Sequence, residues 1–438
     1  MTSAPLVLPR IDLRSDDADA RAAWTSRCAR AAGLAGSADA EAAAIVDDVR
    51  RRGDAAVIEH TARLERRELT ASQFELGAEA RREADARVAP AVREALALAA
   101  ARITAFARTQ LPHTTGLQDE QAQLQTRPTP LRRVAVYAPG GTAAYPSSVL
   151  MAAIPAKVAG VDEVLLFTPR PADVVLCAAA IAGVDRVFQL GGAQAIAAAA
   201  FGTAAVPRVD KIVGPGNAWV TAAKRQVFGV CDIDGIAGPS EILVLADGSA
   251  DAHVVAADLL SQAEHDPLAC AVLVTDDAAL ADAVQQALRE QLATLPRAEI
   301  AAAALRDHGA AVLVRDRDAM LRCANDYAPE HLELLVREPE AMVPSLRTAG
   351  AIFVGAHTPE AAGDYTAGPS HVLPTAGAAR FASPLGVADF IKLTSVLRLS
   401  ASGLAAQAEA ITTLARAEGL EAHARAVELR LARQKDPR

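Results

Sequence analysis

Between residues 15 and 110, apolar positions recur at helical spacing within Ala-, Arg- and Glu-rich stretches such as "AEAAAIVDDVRRRGDAAVIEHTARL" and "AVREALALAAARITAFAR", predicting an all-helical lead-in. From 131 the texture changes. Short apolar runs alternate with helix-like segments: "RRVAVYAPGG", "SSVLMAAIPAKVAG", "DEVLLFTP", "ADVVLCAAAIAGV", "DRVFQLGG", "AQAIAAAAFG", "VDKIVGPGN" and "AWVTAAKRQVFG". Four strand-helix units in succession predict a parallel sheet with helices on its faces. A second series runs from "GPSEILVLAD" through "CAVLVT", "GAAVLV" and "LELLV" to "AGAIFVG". Beyond about 385 lies a helical tail, "LAAQAEAITTLARAEGLEAHARAVELRLARQK", with too little apolar variety to fold alone.

The expected architecture is therefore α/β: two Rossmann-like parallel-sheet domains of related design, with a helical N-terminal region and a C-terminal helical tail. The expected boundaries are 1–130 for the helical region, packing with the second α/β domain, then 131–238 and 239–384 for the two α/β domains, and 385–438 for the tail. The first α/β domain is expected to be inserted into the second.

Composition narrows the class of function. With 438 residues, 51% hydrophobic and 22% charged, the chain can bury large cores. Its net charge of −9 argues against nucleic acid or an anionic membrane as a partner and favours small molecules. The start has no basic segment leading into an apolar one, and no apolar run approaches the roughly 18 residues of a membrane span, so a cytoplasmic location is expected. Five scattered cysteines, Cys28, Cys177, Cys231, Cys270 and Cys323, never form a CxxC pair; they suggest reduced, buried thiols rather than disulfides or a thiolate zinc site.

In an open parallel sheet ligands sit at the carboxyl ends of the strands. In the first α/β domain those ends read "YAPGG", "GGAQ" and "GPGN". Glycines there let backbone approach an anion and turn amides toward it, which points to a phosphate or dinucleotide. No GxGxxG fingerprint is present, and any one of these loops by itself could simply turn a corner.

The second α/β domain and the tail carry four polar stretches: "SQAEHD", "YAPEHLE", "GDYTAGPSHVLPT" and "EGLEAH". They hold His265, His331, His371 and His423, each of which, taken singly, is read more simply as a surface or hydrogen-bonded histidine. Helical spacing puts Gln262 and His265 on one face, one turn apart. Glu330 and His331 follow Pro329 between a helix and a strand, where side chains reach into a site; adjacent strand residues point apart, so both serve one pocket only if the backbone turns there. Gln262, His265, Asp364 and His423 make an oxygen and nitrogen donor set of the kind zinc takes, although only Gln262 and His265 are local in sequence.

These stretches, together with "DGIAGPSEILVLAD" and "VDKIVGPGNAWVTAAKRQVFG", occur in order over nearly the whole chain and resemble the histidinol dehydrogenases. The resemblance implies a zinc-dependent enzyme that oxidises L-histidinol through L-histidinal to L-histidine with two NAD, the last steps of histidine biosynthesis. It implies one zinc per subunit and a homodimer with intertwined tails, His423 serving the other subunit's site. By the same resemblance Gln262, His265, Asp364 and His423 are the metal ligands, and Glu330 and His331 the catalytic acid/base pair. Ser240, Gln262, His265, Glu330, His331, Asp364, Glu418 and His423 are the substrate contacts, and Tyr137, Gln194 and Asn217 the NAD contacts. Ser370 stands where asparagine is frequent and Leu393 where a polar residue is common, while His371 and Lys392 are kept.

Three other readings compete. An aldehyde dehydrogenase would use a cysteine nucleophile, Cys323 or Cys231, and no zinc. A zinc hydrolase would use the Glu-His pair and leave the Gly-rich loops idle. A plain metal or nucleotide binder would bind without turnover.

Overall fold

Two parallel sheets carry the larger part of the chain. The computed structural model describes residues 8–30, 38–140 and 144–435, so Gly141, Thr142 and Ala143 of the "YAPGG" loop lie outside the described residues. The chain divides into two units, one running up to Gln110 and resuming over Arg132–Phe390, the other formed by Leu111–Leu131 with the chain from Ile391 onward.

In the first unit a six-stranded sheet has the order Arg10–Asp12, Ala310–Leu313, Cys270–Thr275, Glu241–Ala246, His331–Leu335, Ala351–Val354, every neighbouring pair parallel. Glu241–Ala246 lies inside this order and is buried at all positions, as expected of a parallel strand covered on both faces. Its alternating side chains divide between two cores. Ile242, Val244 and Ala246 pack with helices Ala252–Ala263, Ala278–Leu292 and Ala298–Asp307. Leu243 and Leu245 pack with Trp24, Met320 and Tyr327 from helices Ala18–Cys28 and Arg317–Tyr327 on the opposite face.

A five-stranded sheet has the order Arg186–Phe188, Glu163–Phe167, Arg133–Tyr137, Lys211–Val213, Asp232–Ile233, again parallel throughout. Because Arg10–Asp12 pairs with Ala310–Leu313, the chain enters the six-stranded sheet, leaves to build the five-stranded one, and returns.

The N-terminal region departs from expectation. Its helices Ala38–Arg52 and Asp54–Glu65 pack on the five-stranded layer, not on the second α/β domain. Ala42, Ile45, Val46 and Val49 form a stripe at helical spacing that seats on the alanine-rich face of Gly192–Phe201 and on Ala218–Val227. Arg10–Asp12 and Ala18–Cys28 join the other sheet, with Leu8 and Arg30 set against it.

Residues 111–131, expected to belong to that helical region, form strands instead, and the tail, expected to be helical from 385, begins with one. Ile391–Leu399 pairs antiparallel with Ala122–Pro130, which pairs with Thr115–Gln118. Pro128 and Pro130 are tolerated because Thr115–Gln118 reaches only to Thr126, leaving that end of the middle strand unpaired on one side. Helices Ala401–Ala417 and Glu421–Lys435 follow and pack on each other. No helix among the described residues is long and apolar enough to cross a membrane.

At the carboxyl edge of the five-stranded sheet, Gly214 has φ +109°, and a Cβ there would overlap the Tyr137 carbonyl oxygen. Asp234 holds the same loop: its Oδ2 accepts from the Gly214 amide at 2.6 Å, and its other oxygen pairs with buried Lys224, whose Nζ donates to the Gly214 carbonyl at 3.1 Å. Gly214→Ala is expected to lower the unfolding midpoint, at a backbone cost of about 1–3 kcal/mol before the steric overlap is added; thermal unfolding of the variant beside the parent checks this.

Candidate active site

Glu330 and His331 do face one place. The helix Arg317–Tyr327 ends in Ala328 with φ +51°, and Glu330 occupies a bend before the strand starts at His331, so strand alternation does not separate the two side chains. Both are fastened to the backbone of Glu241. Glu330 Oε2 accepts from the Glu241 amide at 2.9 Å, His331 Nδ1 donates to the Glu241 carbonyl at 2.9 Å, and Oε2 and Nδ1 are 3.8 Å apart. That hydrogen bond puts the imidazole proton on Nδ1 and leaves Nε2 as the acceptor. Both side chains are buried.

Burial sets their charge. It pushes the Glu330 carboxyl well above the usual carboxylate range, with the nearby Glu241 charge adding to it and the Glu241 amide opposing. It also lowers the His331 imidazole, against the pull of the Asp364 charge. The site thus holds a neutral imidazole with a free nitrogen beside a carboxyl that resists ionisation, a combination suited to proton transfer.

Donor atoms for a metal gather next to this pair. Gln262 is buried near the end of helix Ala252–Ala263; His265, expected on the helix face, sits instead in the turn that follows, its amide bonded to the Gln262 carbonyl at 3.2 Å. His265 Nδ1 donates to the Ser261 carbonyl at 2.8 Å, so Nε2 is free as a ligand, 3.9 Å from Asp364 Oδ2. With its proton on Nδ1, His331 also donates to the Gln262 side-chain oxygen at 3.0 Å, so Gln262 is tied to the same imidazole as the Glu241 carbonyl.

A second possible set, His331, Glu360 and Asp364, has ligand atoms within 4.8 Å of one another. Two of these are already engaged: His331 Nδ1 by the Glu241 carbonyl, Glu360 Oε2 by the Ser261 hydroxyl at 2.7 Å. Asp364 is common to both sets, and with His265, whose Nε2 is free, it offers the less committed donors. The remaining expected ligand, His423, and the expected substrate contact Glu418 lie exposed on the second unit, at and just before the helix Glu421–Lys435. Ser240 directly precedes the strand that carries Glu241, partly exposed.

The expected cofactor residues lie at the carboxyl edge of the five-stranded sheet. The Tyr137 hydroxyl accepts from the Gly192 amide at 3.2 Å, which joins the first two Gly-rich loops. Gln194 is wholly buried; its Nε2 donates to Glu65 Oε1 at 3.0 Å and its Oε1 has no partner. Asn217 is exposed and caps helix Ala218–Val227 by accepting from the Val220 amide at 3.1 Å. From the same edge Ser148, in helix Pro146–Ala159, meets His371 Nε2 at 3.3 Å, and His371 Nδ1 donates to the Asp364 carbonyl at 3.1 Å. The loops of one sheet therefore adjoin the polar cluster of the other.

Sequence reasoning missed Glu241, Glu360 and Arg30. Glu241 opens an apolar strand, a place where a lone acid is unusual, and Glu360 stands four residues before Asp364 on the short helix Glu360–Tyr365, so their spacing carried a signal. Arg30 had none.

The profile of the histidinol dehydrogenase family matches residues 29–431. The chain is 54% identical over 395 residues to the histidinol dehydrogenase of Rhizobium meliloti, covering 89% of this chain and 91% of that one. It is 52% identical over 424 residues to that of Syntrophotalea carbinolica, covering 96% and 98%. The crystal structure of histidinol dehydrogenase from Elizabethkingia anophelis superposes with a TM-score of 0.91 at 32% identity, over 98% of this chain and 99% of that one.

The thiols bear on the cysteine-nucleophile alternative. Burial raises the Cys323 and Cys231 thiols to about 12, and those of Cys28, Cys177 and Cys270 to about 11. A raised thiol pKa leaves little thiolate near neutrality, and thiolate is the reactive form. Iodoacetamide at about pH 7.5 should therefore label the folded protein slowly at all five positions and rapidly after denaturation, as read by mass spectrometry.

Proposed function

Since the chain belongs to the histidinol dehydrogenase family, an NAD-dependent class of oxidoreductase, we propose that it oxidises L-histidinol through L-histidinal to L-histidine with two NAD and one zinc ion per subunit. The observation that carries this reading is the convergence of Glu330 and His331 on the Glu241 backbone, with Gln262, His265 and Asp364 beside them.

Converting an alcohol to an acid needs a proton acceptor for the hydroxyl, an acceptor for two hydrides, and water added to the aldehyde between them. NAD, when bound, supplies the hydride acceptor. Zinc, held by Gln262, His265, Asp364 and His423, would supply a fixed positive centre for the substrate's amine and imidazole nitrogens. His331 Nε2, left basic by the Nδ1 bond to Glu241, takes the hydroxyl proton in the first oxidation. Glu330, once ionised, takes a proton from the water that adds to the aldehyde, its raised pKa making that carboxylate the stronger base, while His331 returns its proton to the aldehyde oxygen. Neutral again, His331 accepts a second proton as the hydrate is oxidised. Ser240 and Glu418 orient the substrate imidazole. Tyr137, Gln194 and Asn217 hold the cofactor, with the unpartnered Gln194 Oε1 available as an acceptor. Keeping all of this in one site retains the reactive amino aldehyde between steps.

A homodimer with exchanged tails is part of the same proposal. Leu117, Leu393, Leu397, Leu414 and Leu429 of the second unit are each more than 60% exposed, an apolar surface of the kind subunits cover.

The test is absorbance at 340 nm with purified protein, NAD and L-histidinol, with and without a chelator, and with product quantified. Two NADH per histidine are expected, lost on chelation and restored by zinc, from a preparation that sediments as a dimer. No NADH from folded, zinc-bearing protein would point to another substrate or to hydrolysis. His331→Asn should lower kcat by about a hundredfold or more while KM for histidinol moves far less; equal losses in kcat and affinity would count against its role as base.

A further inference from the structure

Arg30 is distant in sequence from every residue given a role so far, yet it ends a chain of buried contacts that leads to both members of the acid/base pair. Its Nε and Nη2 donate to Glu241 Oε1 and Oε2 at 2.7 and 2.9 Å, the two side chains being 12% and 2% exposed. Nη2 also donates to the Tyr327 carbonyl at 2.8 Å, and the guanidinium lies 3.5 Å over the Tyr327 ring. The Ala376 amide completes the hold on Glu241, donating to Oε1 at 2.9 Å.

The backbone of Glu241 needs such a hold. Pairing with the strand His331–Leu335 begins one residue later, with His331 opposite Ile242, so no strand residue faces Glu241 on that side. Its amide and carbonyl are spent on Glu330 and His331 instead. A buried ion pair is a poor stabiliser compared with apolar residues of the same volume, because desolvating two charges offsets their attraction. A bidentate guanidinium does, however, fix a carboxylate in both distance and orientation.

We propose that Arg30 and Glu241 are positioning residues for the reaction: the ion pair fixes the first residue of the strand, and that residue's backbone fixes Glu330 and His331. This rests on the proposed function, in which Glu330 and His331 move the protons. Arg30 touches neither substrate nor reacting atoms and acts through Glu241.

The test is a double-mutant cycle on kcat for histidinol oxidation in the zinc-loaded enzyme, with Arg30→Met made in the parent and in His331→Asn. In the parent background kcat should fall by about tenfold to a hundredfold, the scale of a displaced catalytic group. In the His331→Asn background the same change should cost less than about twofold, because the group being positioned is already gone. Arg30→Lys should recover part of the loss, and zinc content and NAD affinity should stay unchanged throughout. An equal fold-loss in both backgrounds, or no loss in the parent, would overturn the proposal and leave Arg30 a structural brace. If Arg30→Met is insoluble, Arg30→Met with Glu241→Gln, which leaves no unpaired buried charge, takes its place in the same cycle. A parent enzyme that makes no NADH from histidinol would instead remove the functional reading on which the proposal stands.

Discussion

The parallel pairing of Glu241–Ala246 with His331–Leu335, with His331 opposite Ile242, is the constraint from which the geometry of the site descends. It puts the first residues of two neighbouring strands at one level, so that the amide and carbonyl of Glu241 face the side chains of Glu330 and His331. A slip by one residue would turn His331 to the other face of the sheet and bury Leu332 in its place. The register is held by strands whose apolar side chains fill cores on both faces, so the same packing that stabilises the sheet orients the chemistry.

Around that anchor the interior is unusually acidic. Glu330, Glu333, Glu360 and Asp258 are all buried, from two helices and the segment that opens the strand His331–Leu335. Burial first, then the neighbouring Asp258 charge, raises Glu333, which makes it the member of that pair that keeps a proton. Burial and the Asp364 charge raise Glu360 to about 7 even though the Ser261 hydroxyl favours its anion. Such a cluster is expensive in an apolar setting unless protons or a cation offset it. Its position beside Gln262, His265 and Asp364 is consistent with a site built to receive positive charge.

Much of this was legible in the sequence because periodicity reports burial directly. "EILVLA" and "AVLV" read as buried parallel strands and are, since a sheet covered on both faces demands unbroken apolar runs. Ala42, Ile45, Val46 and Val49 announced a helix but not its partner, because an apolar stripe specifies a face and not the surface it meets. The strands Ala122–Pro130 and Ile391–Leu399 were hidden for a different reason: their pairing links segments more than 250 residues apart, and two prolines disguise one of them. Gln262, His265, Glu330, His331 and Asp364, which the structure brings close together, were singled out from local spacing and from resemblance to a family. Glu241 acts mainly through its backbone and Arg30 through Glu241, and neither role leaves a trace in residue type or spacing.

In most open parallel sheets the loops leading into helices carry the function, and the opposite edge is scaffold. The five-stranded sheet follows that habit with its three Gly-rich loops, whereas the six-stranded sheet reverses it, with Glu241 and His331 as the entering residues of their strands. The reversal sets the leaving edge of the six-stranded sheet, where Asp247 and Gly248, Asp276 and Asp277, and Arg337 line an open hollow, at the far end of the strands from Glu241 and His331. That separation makes the edge the natural place to graft a reporter or an affinity handle, with the length of a strand between the graft and the pair that moves protons.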